Sequence, residues 1–357
     1  MAQLHTSARV LTLCMTLCVA ACTGNYEKKI QKGLLLYRTG DTARATELFE
    51  DAILGESCVA AFDGPPAGLS GAALYRVTKD GVRILYPYSR KLTLGNRCEG
   101  IACDIDSGRT AVIAGSDITI FSARGSVEKT LPVARSKRGG AAALLWVGRI
   151  LLCYCDGKLY TAETGDAAPQ RFGGEIDAPS SGGLQYASLA GNKDTAVLAA
   201  GIGGQYTLCI IDPAQRAIRA RNIPAASQRT LIDGGALYYI SGSSGSWTLC
   251  KIGLDGGGKK EIMSFTDMRD VAIFPGGIAH EGKNGMRCAD IRTGNRFSIP
   301  FGCALIGQAG RHALLMRGET THVTDMEAFM RILLKIHGEI PAFFDGGTPS
   351  SAQKPAR

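Results

Sequence analysis

The amino-acid sequence predicts a mainly β fold: a seven-bladed β-propeller, with six or eight blades as alternatives, preceded by a short α-helical hairpin. Three observations predict it. The 357 residues include 46 glycines but only 13 prolines, scattered rather than periodic, which is typical of many tight turns. A strand–turn–strand pattern recurs seven times along the chain. Apolar residues at helical spacing are confined to one segment near the start.

The N-terminus has the features of a secretory signal. Arg9 is the one charged residue in 1–21, and the apolar run that follows it is too short to span a bilayer comfortably. The sequence "VAAC" at 19–22 resembles the lipobox of bacterial lipoproteins, which implies cleavage before Cys22 and acylation of that residue. Small residues before position 22 also suit ordinary signal peptidase. We expect a signal peptide at 1–21, then a lipidated tether at 22–26 that attaches the chain to a membrane.

Residues 27–56 are predicted to form the helical hairpin. Ile30 and Leu34, then Ala45 and Phe49, recur at helical spacing, and the sequence "TGD" at 39–41 separates the two helices. This segment resembles one tetratricopeptide repeat in Gly33, in the "GD" pair and in the order of small and large residues along its second helix. In such a repeat Gly33 lies where the two helices approach closely. A single repeat cannot bury its own apolar face. The hairpin therefore packs on the next domain, on a second copy or on a partner protein.

Short strands and glycine turns dominate residues 57–340. The recurring pattern includes "ALYRVTKDGVRIL", "DITIFSARGSVEKTL" and "THVTDMEAFMRIL", and its seven copies are 35 to 49 residues apart. Four short strands per unit of about forty residues are typical of a β-propeller, whose closed ring leaves few exposed strand edges. The pattern resembles propellers of the NHL, PQQ-repeat and WD40-like kinds in architecture. Either "SCVAAFD" at 57–63, as a first inner strand, or "GEIPAFF" at 338–344 could close the ring.

Composition and motifs exclude several classes of function. The formal charge of +8 comes without a dense basic run, so no nucleic acid is expected as a partner. The nine cysteines after Cys22 lie mostly in apolar stretches, which suits packing with one or two disulfides, and none has zinc-ligand spacing. "GLDGGGKK" at 253–260 lacks the Ser or Thr and the helix of a phosphate-binding loop. We predict no metal, no cofactor and no enzymatic activity.

Four arginines share a position in the repeat. Arg97, Arg138, Arg229 and Arg269 each precede a predicted innermost strand by a few residues. In a propeller such connections meet at one mouth of the central channel. The four side chains are candidates for binding an acidic protein segment or an anionic ligand. The alternative is that they are ordinary solvated arginines beside turns.

These observations favour a lipid-anchored protein of the bacterial cell envelope, on the periplasmic face or at the cell surface. Its expected role is a scaffold that binds other envelope proteins through the propeller and the hairpin. Two alternatives remain open: a propeller that binds or processes an anionic small molecule or glycan at the arginine-lined mouth, and a surface lipoprotein that contacts a host. Residues 341–357 are expected to form a polar tail.

Overall fold

Two antiparallel helices begin the described part of the chain. The computed structural model describes residues 25–64, 68–70, 73–133, 142–163, 166, 168–172, 186–243 and 245–344. Helix α1 covers 25–38 and α2 covers Thr42–Ser57. Gly40 adopts a φ of 91°, which favours glycine, and the Asp41 side chain accepts a hydrogen bond from the Arg44 N–H of α2. The predicted helical pair and its break are confirmed.

The strands pair in seven four-stranded antiparallel sheets, which are the blades of a propeller. Strand β1 (Cys58–Asp63) follows α2 directly. From innermost to outermost strand, blades 1 to 3 contain β2 (Gly68–Ser70), β3 (Ala73–Thr78), β4 (Gly81–Tyr86) and β5 (Arg90–Thr93); β6 (Cys98–Cys103), β7 (Thr110–Ala114), β8 (Asp117–Phe121) and β9 (Val127–Pro132); and β10 (Ala142–Val147), β11 (Ile150–Cys155), β12 (Lys158–Ala162) and β13 (Gln170–Arg171).

Blades 4 to 6 have the same internal order. They contain β14 (Tyr186–Gly191), β15 (Ala196–Ile202), β16 (Gln205–Asp212) and β17 (Ala217–Ala225); β18 (Thr230–Asp233), β19 (Ala236–Ser243), β20 (Ser246–Gly253) and β21 (Lys260–Phe265); and β22 (Asp270–Phe274), β23 (Gly277–Gly282), β24 (Gly285–Asp290) and β25 (Arg296–Ser298). Blade 7 contains β26 (Cys303–Ala309), β27 (His312–Arg317), β28 (Thr320–Asp325) and, outermost, β1. The predicted mainly β, seven-bladed propeller is confirmed.

The ring is closed by the N-terminal strand. β1 pairs antiparallel with β28, from Cys58 opposite Thr324 to Asp63 opposite Thr320. The prediction that 57–63 is an inner strand is wrong, because this segment is the outermost strand of the last blade. The segment 338–344 does not close the ring, since it contains the end of a helix and a 3-10 helix, Pro341–Phe343. Pairing the two ends of the propeller in one sheet removes an open edge.

A third helix follows the last blade. Helix α3 covers Met326–Glu339, and the Asp325 side chain caps it by accepting from the N–H groups of Glu327 and Ala328. The sequence pattern assigned this segment to a strand pair and confined helices to the N-terminus, and both predictions are wrong here. Phe343 and Phe344 are buried, so the predicted polar tail at 341–357 includes packed apolar residues. Residues 345–357 lie outside the described residues.

Apolar clusters fill the interfaces between neighbouring blades. In the described part of the chain seven clusters occur, one for each pair of adjacent blades. Central strands such as β7 are buried along their whole length, because each sheet is packed between two others. The cluster between blades 6 and 7 is extended by the inner faces of α1, α2 and α3. The helices are therefore part of the propeller's core, and the apolar face of the hairpin is buried by its own chain.

One of the repeat copies is displaced by one strand. "DITIFSARGSVEKTL" forms the third and fourth strands of blade 2, as most of the other copies do in their blades. "ALYRVTKDGVRIL" instead forms the second and third strands of blade 1, β3 and β4. The two hairpins look alike in sequence because each joins two short strands through a tight turn.

Candidate functional site

The segments that connect successive blades all lie on one face of the ring. In every blade the chain leaves the outermost strand and enters the innermost strand of the next blade. We call the face with these segments the connector face; its described segments include 94–97, 226–229, 266–269 and 299–302. Because the strands of each blade are antiparallel, the connections meet at the same mouth of the channel.

Three of the four candidate arginines lie on the connector face. Arg97, Arg229 and Arg269 directly precede the innermost strands β6, β18 and β22. Arg97 and Arg269 are exposed. Arg138 lies outside the described residues, as does Cys22. The structure therefore places these three arginines at equivalent positions in their blades, while a binding role for them stays a prediction.

Arg229 is oriented inward. Its side chain is only 19% exposed, and its Nε lies 3.9 Å from the Asp270 Oδ1 of blade 6. A Cβ at Gly307, in the innermost strand of blade 7, would lie 3.1 Å from the Arg229 Nη2. Arg229 thus extends from blade 5 toward blades 6 and 7 and has a carboxylate partner. It contributes less free positive charge to the mouth than Arg97 and Arg269 do.

Carboxylates accompany the arginines on this face. Glu99 is exposed two residues after Arg97, and Asp267 lies two residues before Arg269. The Asp267 Oδ2 accepts a hydrogen bond of 2.5 Å from the Lys283 N–H, in the turn between β23 and β24. The connector face therefore carries charges of both signs, which favours an irregular protein surface as its partner over a simple anion.

A partly buried ion pair joins the helices to the propeller. Arg317, at the end of β27, lies 3.3 Å from the Glu50 Oε2 and donates a 3.0 Å hydrogen bond to the Asp51 Oδ1. Glu50 is 5% exposed, and burial raises the pKa of its carboxyl against the lowering effect of Arg317. The Glu50 Oε1 has no hydrogen-bond partner among the described residues. Arg317 is therefore the main compensation for a buried charge on α2.

A cavity of about 320 Å³ opens beside blade 6. Its lining includes Phe265 from blade 5, His280, Arg287 and Arg296 from three adjacent strands of blade 6, and Phe344 from the C-terminal segment. His280 is 4% exposed, and its Nδ1 is buried without a hydrogen-bond partner in the described structure. Burial, and then the neighbouring Arg287, lower the pKa of His280 to about 4.

The cysteines are packing residues in this structure. None of the nine, from Cys58 to Cys303, is in a disulfide bond, so the disulfides considered from the sequence are not formed. Burial raises the pKa of the Cys98 and Cys103 thiols to about 11 and that of Cys303 to about 12. Raised values disfavour the thiolate that a nucleophile or metal ligand requires.

The other histidines contact separate local partners. The Cys58 Sγ lies 3.5 Å from the His322 Nδ1, and burial raises the pKa of that thiol and lowers the pKa of that imidazole. Both groups are therefore stabilised in their neutral forms. The Tyr86 hydroxyl lies 3.3 Å from the His312 Nδ1, and the ring of His337 packs edge-on against Phe297.

The described residues contain neither a metal-ligand cluster nor a membrane-spanning helix. Within the described ranges, no group of three or more His, Cys, Asp or Glu side chains is arranged to hold a metal ion. None of the helices described is both long and apolar enough to cross a membrane. "GLDGGGKK" joins β20 to β21 and does not precede a helix.

Sequence reasoning missed the residues that make the most specific contacts. Glu50 and Arg317 are 267 positions apart in sequence, so only the fold brings them together. His280 and Arg287 are direct cross-strand partners in the hairpin formed by β23 and β24. The turn "GKNG" at 282–285 was a usable signal, because a hairpin turn determines which residues of its two strands are opposite each other.

Comparisons with known proteins support the fold. No family model matches the sequence, and no curated protein matches it. Among solved structures, the β-propeller domain of Cps50 (Swd1) from Myceliophteria thermophila is 13% identical, with a TM-score of 0.50, over 75% of this chain and 98% of that chain. At this identity the similarity shows the seven-bladed propeller fold alone.

Two bacterial structures are also similar. BamB from Moraxella catarrhalis is 12% identical, with a TM-score of 0.47, over 75% of this chain and 99% of that chain. The extracellular domain of the putative one component system BT4673 from B. thetaiotaomicron is 12% identical, with a TM-score of 0.46, over 75% of this chain and 39% of that chain.

Proposed function

We propose that this chain is a lipid-anchored scaffold of the bacterial cell envelope. Acyl groups on Cys22 attach it to the membrane, and the propeller together with a tetratricopeptide-like helical pair binds other envelope proteins on the periplasmic face or at the cell surface. The role is binding rather than catalysis. The proposal depends on the lipobox-like sequence at 19–22 and on the geometry described next.

The observation that carries the scaffold role is the continuity between the helices and the ring. α2 ends at Ser57 and the ring-closing strand β1 begins at Cys58. The partly buried pair of Glu50 with Arg317 and the shared core of the helices with blades 6 and 7 hold this junction in place. Two different surfaces, one helical and one on the propeller, are therefore presented to partners in a constant relative position, as a scaffold requires.

The position of α1 suits a nearby anchor. The described part of α1 begins at residue 25, three positions after Cys22, and its exposed residues include Lys28 and Lys32. Basic side chains close to a lipid attachment point are attracted to anionic headgroups, at about 1 kcal/mol per residue. An anchored chain would thus have its helices next to the bilayer.

Fatty-acid labelling tests the anchor. Cells that express the full chain are grown with an alkyne fatty acid, and wild type is compared with Cys22→Ala and with Cys14→Ala as the matched control in the same apolar run. We expect label on wild type and Cys14→Ala and none on Cys22→Ala. Equal labelling of all three proteins, or of none, would contradict lipidation at Cys22.

Cross-linking tests the scaffold. Arg97 and Arg269 are exposed on the connector face of blades 2 and 6, and Arg124 and Arg292 are exposed at the opposite ends of the same blades. We compare Arg97→Glu/Arg269→Glu with Arg124→Glu/Arg292→Glu after cross-linking and detergent extraction. Recovery of a stoichiometric envelope protein should fall at least tenfold in the first variant only. No stoichiometric partner with wild type, or equal recovery with both variants, would contradict the proposal.

A further inference from the structure

The cavity beside blade 6 contains an unusual set of groups. Its lining carries the guanidinium groups of Arg287 and Arg296, the imidazole of His280 and the hydroxyls of Thr266 and Ser298. None of the lining residues is an aspartate or a glutamate. The described groups therefore give the cavity an excess of positive charge and of hydrogen-bond donors.

The strand register explains why these side chains converge. His280 is directly opposite Arg287, and Arg287 is opposite Ser298, so the three lie side by side on one face of blade 6. Arg296 precedes Ser298 by two residues and therefore belongs to the same face. This face is turned toward blade 5, whose Phe265 packs edge-on against His280 with ring centroids 4.9 Å apart.

Arg296 is held in place while Arg287 is free to bind. Arg296 donates a 3.0 Å hydrogen bond to the Ser264 carbonyl, and its guanidinium carbon lies 5.6 Å from the centre of the Phe265 ring. Arg287 is half-buried and has no ion-pair partner among the residues that the structure describes. A half-buried guanidinium without a counter-charge is expected to attract an anion.

His280 supplies an independent indication of a ligand. Its Nδ1 is buried in the protein, faces no partner in the described structure and belongs to a cavity-lining residue. Such an orphaned polar atom costs free energy unless another group bonds it. The charged groups around it are Arg287 and Arg296, which disfavour a proton on the ring, and Asp267, which favours one.

We propose that this cavity binds a small organic oxyanion, a carboxylate or phosphate group attached to an apolar body. The guanidinium of Arg287 pairs with the oxyanion, Arg296 and the two hydroxyls add donors, and the Nδ1 of His280, once protonated, donates a hydrogen bond to the same group. Phe265 provides an apolar wall on this face. The volume of about 320 Å³ suits a compact ligand at the lower end of the usual range of small-molecule sites.

Anion binding is expected to be linked to a proton. A bound oxyanion next to His280 offsets the repulsion from Arg287 and Arg296, so it favours the protonated imidazole. Affinity should therefore increase as the pH falls from 7 toward 5. Replacing His280 with Gln removes the titrating group and should flatten this dependence.

Calorimetric titration of the full chain with three probes tests the site. The probes are phenyl phosphate, benzoate and inorganic phosphate, so the two oxyanion classes and the need for an apolar body are measured separately. We expect phenyl phosphate or benzoate to bind at least tenfold more tightly than inorganic phosphate. Loss of a charge-assisted hydrogen bond in Arg287→Gln should weaken binding by about tenfold to a hundredfold.

Matched variants separate a lost site from a damaged fold. Arg292→Gln removes an exposed arginine from the turn after β24 and should change affinity less than twofold. Arg296→Lys keeps a positive charge at an exposed position and tests the site if Arg287→Gln does not fold. Three results would overturn the proposal: no binding of either organic probe at 10 mM, undiminished binding by both cavity variants, or inorganic phosphate binding as tightly as phenyl phosphate.

Discussion

Replacing Gly33 with alanine tests how closely α1 and α2 are packed. A Cβ at Gly33 would lie 2.6 Å from the Cε1 and 2.9 Å from the Cδ1 of Phe49. The Phe49 ring is completely buried and packs edge-on against Phe343, with centroids 5.1 Å apart. The ring cannot move away without displacing Phe343, which also packs against Tyr37. The substitution therefore overfills a tightly packed site.

Two effects of opposite sign determine the result. Alanine in place of glycine favours a helix by about 1 kcal/mol. Overfilling a packed core costs about 1–3 kcal/mol, and a contact nearly 1 Å too short belongs to the upper part of that range. We expect Gly33→Ala to lower the free energy of unfolding by about 1–2 kcal/mol, which corresponds to roughly 2–6 °C in Tm for a protein of this size.

Gly55 provides the matched control within the same hairpin. It lies in α2, is exposed, and a Cβ there would meet no atom within 4 Å. Gly55→Ala therefore has the helical gain without the collision and should raise the free energy of unfolding by up to about 1 kcal/mol. Guanidinium unfolding followed by circular dichroism measures both variants.

Rescue of Gly33→Ala identifies the contact responsible. Phe49→Leu removes the ring atoms nearest to the added methyl group, so the double variant Gly33→Ala/Phe49→Leu should lose less stability than the two single losses combined. If Gly33→Ala is as stable as Gly55→Ala, or if the double cycle is additive, the close helix approach is not what requires glycine at position 33.

Acid, charge and capping changes at three other sites have defined expected outcomes. The folded pKa of His280 is about 4, so this residue is protonated in the unfolded chain before it is protonated in the folded chain as the pH falls. Between pH 7 and pH 4 this group should lower the free energy of unfolding of wild type by about 3 kcal/mol, and His280→Gln should not show this loss. Guanidinium unfolding at both pH values measures the difference. Arg317→Met leaves Glu50 without its counter-charge and should lower the free energy of unfolding by about 1–2 kcal/mol. The control Arg38→Met breaks an exposed pair with Glu339 and should lower it by less than about 0.5 kcal/mol. Equal losses in the two variants would refute the role of burial. Asp325→Ala should cost about 1 kcal/mol by removing the cap of α3, and Asp325→Asn should retain most of the stability in thermal melts.

Local patterns in the sequence were sufficient for the repeated parts of the fold. Alternating strands and glycine turns predict the blades, since a hairpin depends on residues only a few positions apart. The break between the two helices at 39–41 was predicted for the same reason. Helix α3 was missed although its buried residues, including Met326, Phe329, Met330 and Leu333, have helical spacing. The strand "THVTD" before it matched the repeat, and the pattern was extended past Asp325.

The candidate sites were also predictable from the sequence only in part. The sequence placed Arg97, Arg229 and Arg269 before innermost strands, because that position follows from the order of strands along the chain. It did not predict that Arg229 pairs with Asp270, since this depends on the packing of two blades. The grouping of His280, Arg287 and Arg296 beside Phe265 likewise requires the strand register within blade 6 and the position of blade 5.

By itself the sequence determined the class of fold, the helical pair and the connector-face positions of Arg97, Arg229 and Arg269, because each depends on interactions between residues close along the chain. Tertiary structure alone decided that β1 closes the ring, that Arg317 compensates the buried Glu50, and that a positively charged cavity opens beside blade 6. These features depend on contacts between residues that are distant in sequence or belong to different strands, and no local pattern specifies such contacts.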